Sequence, residues 1–379
     1  MLRAWTALAG LAFTACSSLD DDLSDCGASY QMNYQLTLVT NISTELNTQL
    51  TTTVDMTMNA SLRTLLKDIF RDIAHDVDLS FYDTHGDSLR LRHDQDIIDD
   101  NQTSYTIYLP MREYMHLAVA NIAENNLVAL ENDEKCSTSR LVTPGLTGSN
   151  DTISSHTTGL FTAREPMEVL EGVNQAFYVH LDMANSAATL VIDTRGRSAD
   201  SIKVFSTGFA TGFEIQDSVY TFSAKPPMIR TTSVSDPASG QTAFCSVTFP
   251  SKEPATTAPS PTMPAAPKAP VETAAAPVET AAAPVETAAA ATRTVIDTDE
   301  PFISEPDSKT LWEFRVYVTQ PDGSVTESIL GINEPLRAGQ MKVLKCWLKE
   351  DGSIDTNFPE VSISVHMNWQ QGGSYHHDI

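Results

Sequence analysis

No stretch of about 20 apolar residues occurs in the 379-residue sequence, so nothing in it reads as a helix that crosses a bilayer. Positive charge is scarce: 24 Lys and Arg stand against 49 Asp and Glu, a net charge of −25. That balance argues against nucleic acid, whose phosphates are bound by cations this chain does not supply. It argues equally against docking by charge on an anionic membrane surface. There is no GxGxxG, GxSxG, P-loop, HExxH or EF-hand loop, and no CxxC pair. The sequence therefore presents no nucleotide cradle, nucleophile constellation or zinc site, and neither enzymatic activity nor a cofactor or metal is expected. Between Arg3 and Arg63 not one Lys or Arg occurs. Hydrophobic residues still make up 41% of the chain, enough for packed cores rather than global disorder.

What is present begins with an export signal. Met1–Ala15 has a charged start at Arg3 and a short apolar core over Ala4–Thr14. Phe13-Thr14-Ala15-Cys16 resembles a bacterial lipobox, in which the cysteine is acylated and becomes the new N-terminus. More than one acyl chain is needed for stable anchoring, at about 0.8 kcal/mol per buried methylene, so a triacylated Cys16 would hold the protein to a membrane without a spanning helix. The run Ser17-Ser18-Leu19-Asp20-Asp21-Asp22 resembles the surface-export signal of lipoproteins in some Gram-negative anaerobes. With Cys16 lipidated, Cys26, Cys136, Cys245 and Cys346 remain, and an even number in an exported protein permits disulfides in three connectivities. Two fall in each half of the chain, which favours Cys26–Cys136 and Cys245–Cys346.

The body reads as β structure with one helix. Tyr30, Met32, Tyr34, Leu36 and Leu38 alternate with polar residues, the signature of a half-buried strand over Tyr30–Thr40. Leu62, Leu65, Leu66, Ile69, Phe70 and Ile73 recur at helical spacing behind Ser61, which predicts a core-facing helix with Ser61 as its N-cap. Val77–Tyr82 and Leu89–Leu91 flank a polar turn and predict a hairpin; Tyr105–Leu109 and His116–Ala120 predict two more strands. Strand signal continues over Phe177–Ile192, which would join two domains. Leu311–Thr319, Pro321-Asp322-Gly323 and Val325–Ile332 form a second hairpin signal, repeated by Lys342–Leu348, Asp351-Gly352 and Ile354 onward. Val361, Ile363, Val365, Met367 and Trp369 then alternate in a last strand. From about Ser251 to Thr292 the composition shifts to Pro and Ala, with Pro-Val-Glu-Thr-Ala-Ala-Ala starting at Pro270, Pro277 and Pro284. A proline in every heptad forbids a coiled coil, so this tract reads as an extended spacer. His75, His85 and His93 lie among Asp83, Asp87, Asp94 and Asp96, and His376-His377-Asp378 lie near the last residue; both groups read as exposed polar residues rather than metal ligands.

Several of these segments carry a family resemblance. Cys16 with the acidic tether and Asp22-Leu23-Ser24-Asp25-Cys26 resembles the opening of the fimbrillin-associated anchor family. Val77–Asp83 with Gly86, and then Tyr105–Pro110, resemble the family's N-terminal domain. Phe314–Thr319, Pro321–Gly323, Leu336–Gln340 and Val361–Val365 with Trp369 and Gly373 occur in the family's order. The Pro-Val-Glu-Thr repeat is a departure from it. The resemblance implies a mainly β fold with two transthyretin-like antiparallel β-sandwich domains and one short helix. The division expected is a signal peptide over 1–15, lipid attachment and tether over 16–28, one sandwich over 29–180 and a second over 181–379, which carries the insertion 251–292.

It also implies a place at the base of a type V fimbria. Stalk subunits of that system lose an N-terminal strand to an Arg- or Lys-specific protease, and a neighbour's C-terminal strand fills the groove, a form of β-augmentation. The anchor keeps its first strand, here Tyr30–Thr40, and limits further growth. The absence of Lys and Arg from residues 16–62 agrees with an uncut strand. Val361–Trp369 would be the interaction strand, or would complete the chain's own sheet. The partners expected are fimbrial stalk subunits, and the outer membrane through the lipid. Two other roles stay open: a surface lipoprotein binding a glycan or host ligand, and a fimbrial tip or adhesin subunit.

Overall fold

A computed structural model describes residues 29–37, 56–69, 76–83, 89–97, 104–123, 125–148, 151–171, 175–198, 201–254, 291–293, 310–355 and 363–366. In chain order the elements are β1 (Ser29–Thr37), α1 (Met56–Ile69), β2 (Asp76–Asp83), β3 (Arg90–Ile97), β4 (Ser104–Pro110) and β5 (Glu113–Ala120). Next come β6 (Ala129–Glu131), β7 (Arg140–Val142), β8 (Thr152–Ser154), β9 (Phe161–Glu168), β10 (Gln175–His180) and β11 (Asp182–Met183). Then follow β12 (Ser186–Asp193), β13 (Ile202–Thr207), β14 (Gly212–Glu214), β15 (Val219–Thr221), β16 (Met228–Arg230), β17 (Thr232–Asp236), β18 (Gln241–Thr248) and β19 (Ala291–Arg293). The last are β20 (Trp312–Thr319), β21 (Val325–Ile332), β22 (Gln340–Leu348), β23 (Ile354–Asp355) and β24 (Ile363–His366).

The fold is mainly β, as the sequence predicts, and most pairings are antiparallel. A three-stranded sheet runs β10-β1-β4, and a five-stranded sheet runs β11-β9-β5-β2-β3. A third sheet runs β17-β18-β12-β22-β23, with β24 also on β22, and a fourth runs β19-β21-β20-β13-β16-β8. A small fifth sheet, β15-β14-β7-β6, pairs strands from both halves of the sequence. Parallel ladders join β1 to β10, β12 to β22 and β8 to β16.

The third sheet decides the layering. Alternate residues of β12 face two different cores: Ala187 and Val191 join Met32, Tyr34, Phe81 and Leu109 of the first two sheets. Leu190 and Ile192 join Trp312, Phe314, Val316 and Ile202 of the fourth. A strand covered on both faces cannot alternate apolar with polar. That is why β12 and β18 read as runs of Ala, Ser, Thr and Val, every residue of β18 being buried. Some of the hydroxyls that this brings inside pair with one another, as Ser206 Oγ donates to Ser246 Oγ at 2.8 Å, whereas Thr189 Oγ1 on β12 has no hydrogen-bond partner among the described residues.

The helix starts more than a turn earlier than the sequence suggests, at Met56. Met58, Leu62 and Leu66 are fully buried in the first core and Leu65 packs beside them, so the stripe begins at Met58 and Ser61 lies inside the helix rather than capping it. Phe70 and Ile73 lie outside the described residues. Both Asp-Gly hairpins form as predicted. Asp322 Oδ1 accepts from the Ser324 backbone N at 2.9 Å, and Asp351 Oδ1 from Ser353 N at 2.9 Å; Gly323 and Gly352 have φ of 84° and 81°. Gly208 serves a different need. Its φ is +99° and a Cβ there would stand 2.6 Å from the Trp312 Cα, so only glycine lets these two backbones meet. No helix among the described residues is long and apolar enough to cross a membrane.

Candidate functional site

β1 is an interior strand. Its register sets Tyr30 opposite Leu109, Met32 opposite Ile107 and Tyr34 opposite Tyr105 on the antiparallel side. On the parallel side Met32 meets Gln175, Tyr34 meets Phe177 and Leu36 meets Val179. Both edges of β1 are thus occupied by main-chain ladders, the pairing that satisfies every peptide group of a buried strand. Met32 and Tyr34 are 1% and 0% exposed, while Asn33 lies on the outer face, so the predicted alternation is what the strand uses. Leu38 lies outside the described residues. Strands in a sheet lie about 4.8 Å apart, so removing β1 would leave β4 and β10 facing one another across a gap of about 10 Å, the width of one strand.

One polar contact fastens this strand to the neighbouring sheet. His116, on β5, is fully buried, with Nδ1 3.0 Å from the Ser80 carbonyl oxygen and Nε2 2.5 Å from the Tyr34 hydroxyl. A carbonyl only accepts, so Nδ1 carries the proton and Nε2 accepts from the tyrosine. The ring stacks on Phe81 at 4.5 Å and meets the Tyr34 ring edge-on at 5.1 Å. Burial pushes the His116 pKa down to about 3, so the ring stays neutral. No sequence motif marks this contact: Tyr34 reads as one more apolar-face residue and His116 as a strand residue.

A pH dependence follows from it. In the unfolded chain the ring titrates near 6.5, and in the folded chain near 3, so its stabilising contribution is complete above about pH 6.5 and is lost as the pH falls toward 3. Between pH 7.5 and 5, wild type is expected to lose more unfolding free energy than His116→Gln, by about 1 kcal/mol per pH unit below 6.5. Urea titrations at the two pH values check this. The carboxyls of Glu165, Asp182 and Glu313, which desolvation pushes up, act in the opposite sense in both proteins and cancel in the comparison.

The other sequence-predicted residues are placed as follows. Ile363 and Val365 lie in β24, which pairs antiparallel with β22, Ile363 opposite Val343 and Val365 opposite Met341. The described part of the segment, Ile363–His366, thus lies in the chain's own third sheet. Val361, Met367 and Trp369 lie outside the described residues, as do Cys16 and Cys26. Cys136 is buried in the cluster formed by Tyr82, Leu117, Leu141 and Phe213.

The expected Cys245–Cys346 bridge is not formed. Cys245 lies opposite Thr189 on one side of β12 and Cys346 opposite Ile192 on the other. Their side chains enter different cores, Cys245 the first and Cys346 the second, with a strand and the sheet's thickness between them. Burial pushes the Cys245 thiol up to about 11 and the Cys346 thiol higher still, so both stay protonated and inert.

The histidine-rich hairpin pairs its polar side chains with one another. His93 Nε2 meets Asp78 Oδ2 at 2.7 Å, and Arg92 binds both oxygens of Asp94 at 2.6 and 3.2 Å. His75, His85, Asp87 and the His376–Asp378 group lie outside the described residues. Among the described residues no three His, Cys, Asp or Glu side chains converge as a metal site requires.

Comparison with known proteins places the chain. The family model described as fimbrillin-A associated anchor proteins Mfa1 and Mfa2 matches residues 39–266, well over half of the sequence. The chain belongs to this anchor family. No curated protein sequence matches it. Among solved structures it is similar to the fimbrial anchor protein Mfa2 from Porphyromonas gingivalis, at 9% identity and a TM-score of 0.37, over 58% of this chain and 73% of that one. It is similar to a fimbrial assembly protein from Parabacteroides distasonis, at 10% identity and a TM-score of 0.39, over 86% and 93%. A protein from Bacteroides thetaiotaomicron described as a "putative adhesin" gives 8% identity and a TM-score of 0.47, over 90% and 98%.

Proposed function

We propose that this anchor-family protein is a surface lipoprotein, held in the outer membrane by Cys16, that seats a fimbria at its base and limits its growth by strand-exchange contact with stalk subunits. The observation that carries the proposal is the state of β1. It is hydrogen-bonded on both edges, is pinned through Tyr34, and lies in a stretch, residues 16–62, without a single Lys or Arg for a trypsin-like protease to cut. A subunit that keeps this strand has no vacant groove and cannot accept the next subunit's strand, so growth stops at it. Contact toward the stalk is assigned to the 361–369 segment. Its described part, β24, is a four-residue edge strand on β22, so its release for exchange breaks few main-chain bonds.

Membrane attachment is tested by Cys16→Ala in the native host. Wild type is expected in the membrane pellet and labelled by fatty acid. The variant is expected in the soluble fraction and unlabelled. A variant that stays with the membrane and keeps its label would remove Cys16 from the account.

A further inference from the structure

Far along the chain from β1, residues of the β5–β9 excursion line a half-open cleft of about 130 Å³, below the range for drug-sized ligand sites (about 300–1,000 Å³) and so small enough to take no more than one ring of a larger ligand. Its apolar wall is Leu127, Pro144 and Ile153, and its polar groups come from Asn126, Thr143, Ser154 and His156. His156 is 4% exposed, and among the described residues its Nδ1 has no hydrogen-bond partner. A buried ring nitrogen in that condition costs about 1–3 kcal/mol, a deficit that a bound group removes.

The geometry is fixed before any ligand arrives. The His156 backbone N donates to the Val247 carbonyl at 2.8 Å, and the ring meets Phe249 edge-on at 5.3 Å. Asn125 Oδ1 accepts from Leu127 N and Val128 N, both at 3.0 Å. Asp151 closes the 147–151 loop on Thr147 N and Gly148 N, both at 2.9 Å. Thr143 N donates to Thr211 O at 2.8 Å, and β8 is held by its ladder to β16. A site that is ordered in advance loses little entropy on binding.

The lining selects the ligand class. None of its seven residues carries a charge, apart from a histidine that burial holds neutral with a pKa of about 4. An ionic ligand would be desolvated here without a counter-charge. A purely apolar ligand would leave the amide, two hydroxyls and the imidazole facing it unpaired. A hydroxyl both donates and accepts, so it suits His156 Nδ1 in either tautomer. The C–H face of a sugar ring suits Leu127, Pro144 and Ile153. We propose that this cleft binds a single uncharged sugar residue of a glycan. The site is separate from β1 and from the anchor role, and its test does not depend on that role.

The full-length protein, purified in a non-glycosidic detergent, is applied to an array of neutral, sialylated and sulfated glycans. The strongest neutral hit is then titrated as its methyl glycoside by calorimetry. The expected result is saturable binding to neutral glycans that weakens at least tenfold in Asn126→Ala and in Ser154→Ala, both exposed positions whose truncation leaves the fold intact. Leu170→Ala, at an exposed position away from the cleft, is expected to bind as wild type does. No neutral glycan bound, recognition confined to charged glycans, or affinity unchanged in both cleft variants would each overturn the proposal.

Discussion

Tyr34→Ala is expected to lower the unfolding free energy by about 3–5 kcal/mol, the range for removing a fully buried aromatic side chain. Two losses combine. The ring fills the first core beside His116 and Phe177, and its hydroxyl is the donor that satisfies His116 Nε2. Tyr34→Phe separates them. It keeps the ring and strands the histidine acceptor, so it should cost about 1–3 kcal/mol, the penalty of a buried unsatisfied group. Urea unfolding of the three proteins measures both steps. Hydrogen exchange in Met32–Gln35 should rise in Tyr34→Ala ahead of the β20–β21 hairpin, because β1 belongs to the first core alone. If Tyr34→Ala unfolds with the wild-type midpoint, β1 is not held as described.

The second large effect is in the fourth sheet. Arg315 is 1% exposed, with Nη2 2.5 Å and Nε 2.6 Å from Glu313 Oε1 and Nη1 3.9 Å from Glu327 Oε1. The Tyr317 hydroxyl donates to Glu327 Oε1 at 3.0 Å. Trp312, Phe314, Val316 and Val318 face the second core, so Glu313, Arg315 and Tyr317 share the opposite face of β20. Burial pushes the Glu313 pKa up against the opposing pull of Arg315. Arg315→Ala removes the cation paired with Glu313 and near Glu327, and should cost about 3–5 kcal/mol. Replacing Glu313, Arg315 and Glu327 together with apolar residues of similar volume, along with Tyr317→Phe, should be near neutral, because the desolvation penalty leaves with the charges. Denaturant midpoints for the single and the combined variant distinguish the cost of a broken pair from the worth of the pair. Equal losses in both would contradict this reading.

Where one face of a strand is core and the other solvent, the pattern was readable. β1 shows its alternation openly, and the β20–β21 and β22–β23 turns are announced by Asp-Gly, whose side-chain and φ requirements the structure meets at Asp322–Gly323 and Asp351–Gly352. Where both faces are buried the pattern vanishes. β18, Gln-Thr-Ala-Phe-Cys-Ser-Val-Thr, carries hydroxyls and a thiol inside, and no period of two remains to be read. The same layering misdirected the cysteine pairing. Equal distribution along the chain said nothing of β12 standing between Cys245 and Cys346. β3 is longer than the hairpin signal because Arg90, Arg92 and Asp94 are satisfied by ion pairs rather than by burial. The Tyr34–His116 contact and the His156 cleft join residues 82 or more positions apart, or loops without a motif, and only the folded chain brings them together.

The anchor proposal is tested most directly by deleting the gene in a fimbriated parent strain and measuring where the fibres are and how long they grow. The account predicts long fibres shed into the medium, restored to normal length and cell attachment by wild type but not by Cys16→Ala. Fibres of normal length still attached to the deleted cells would contradict it.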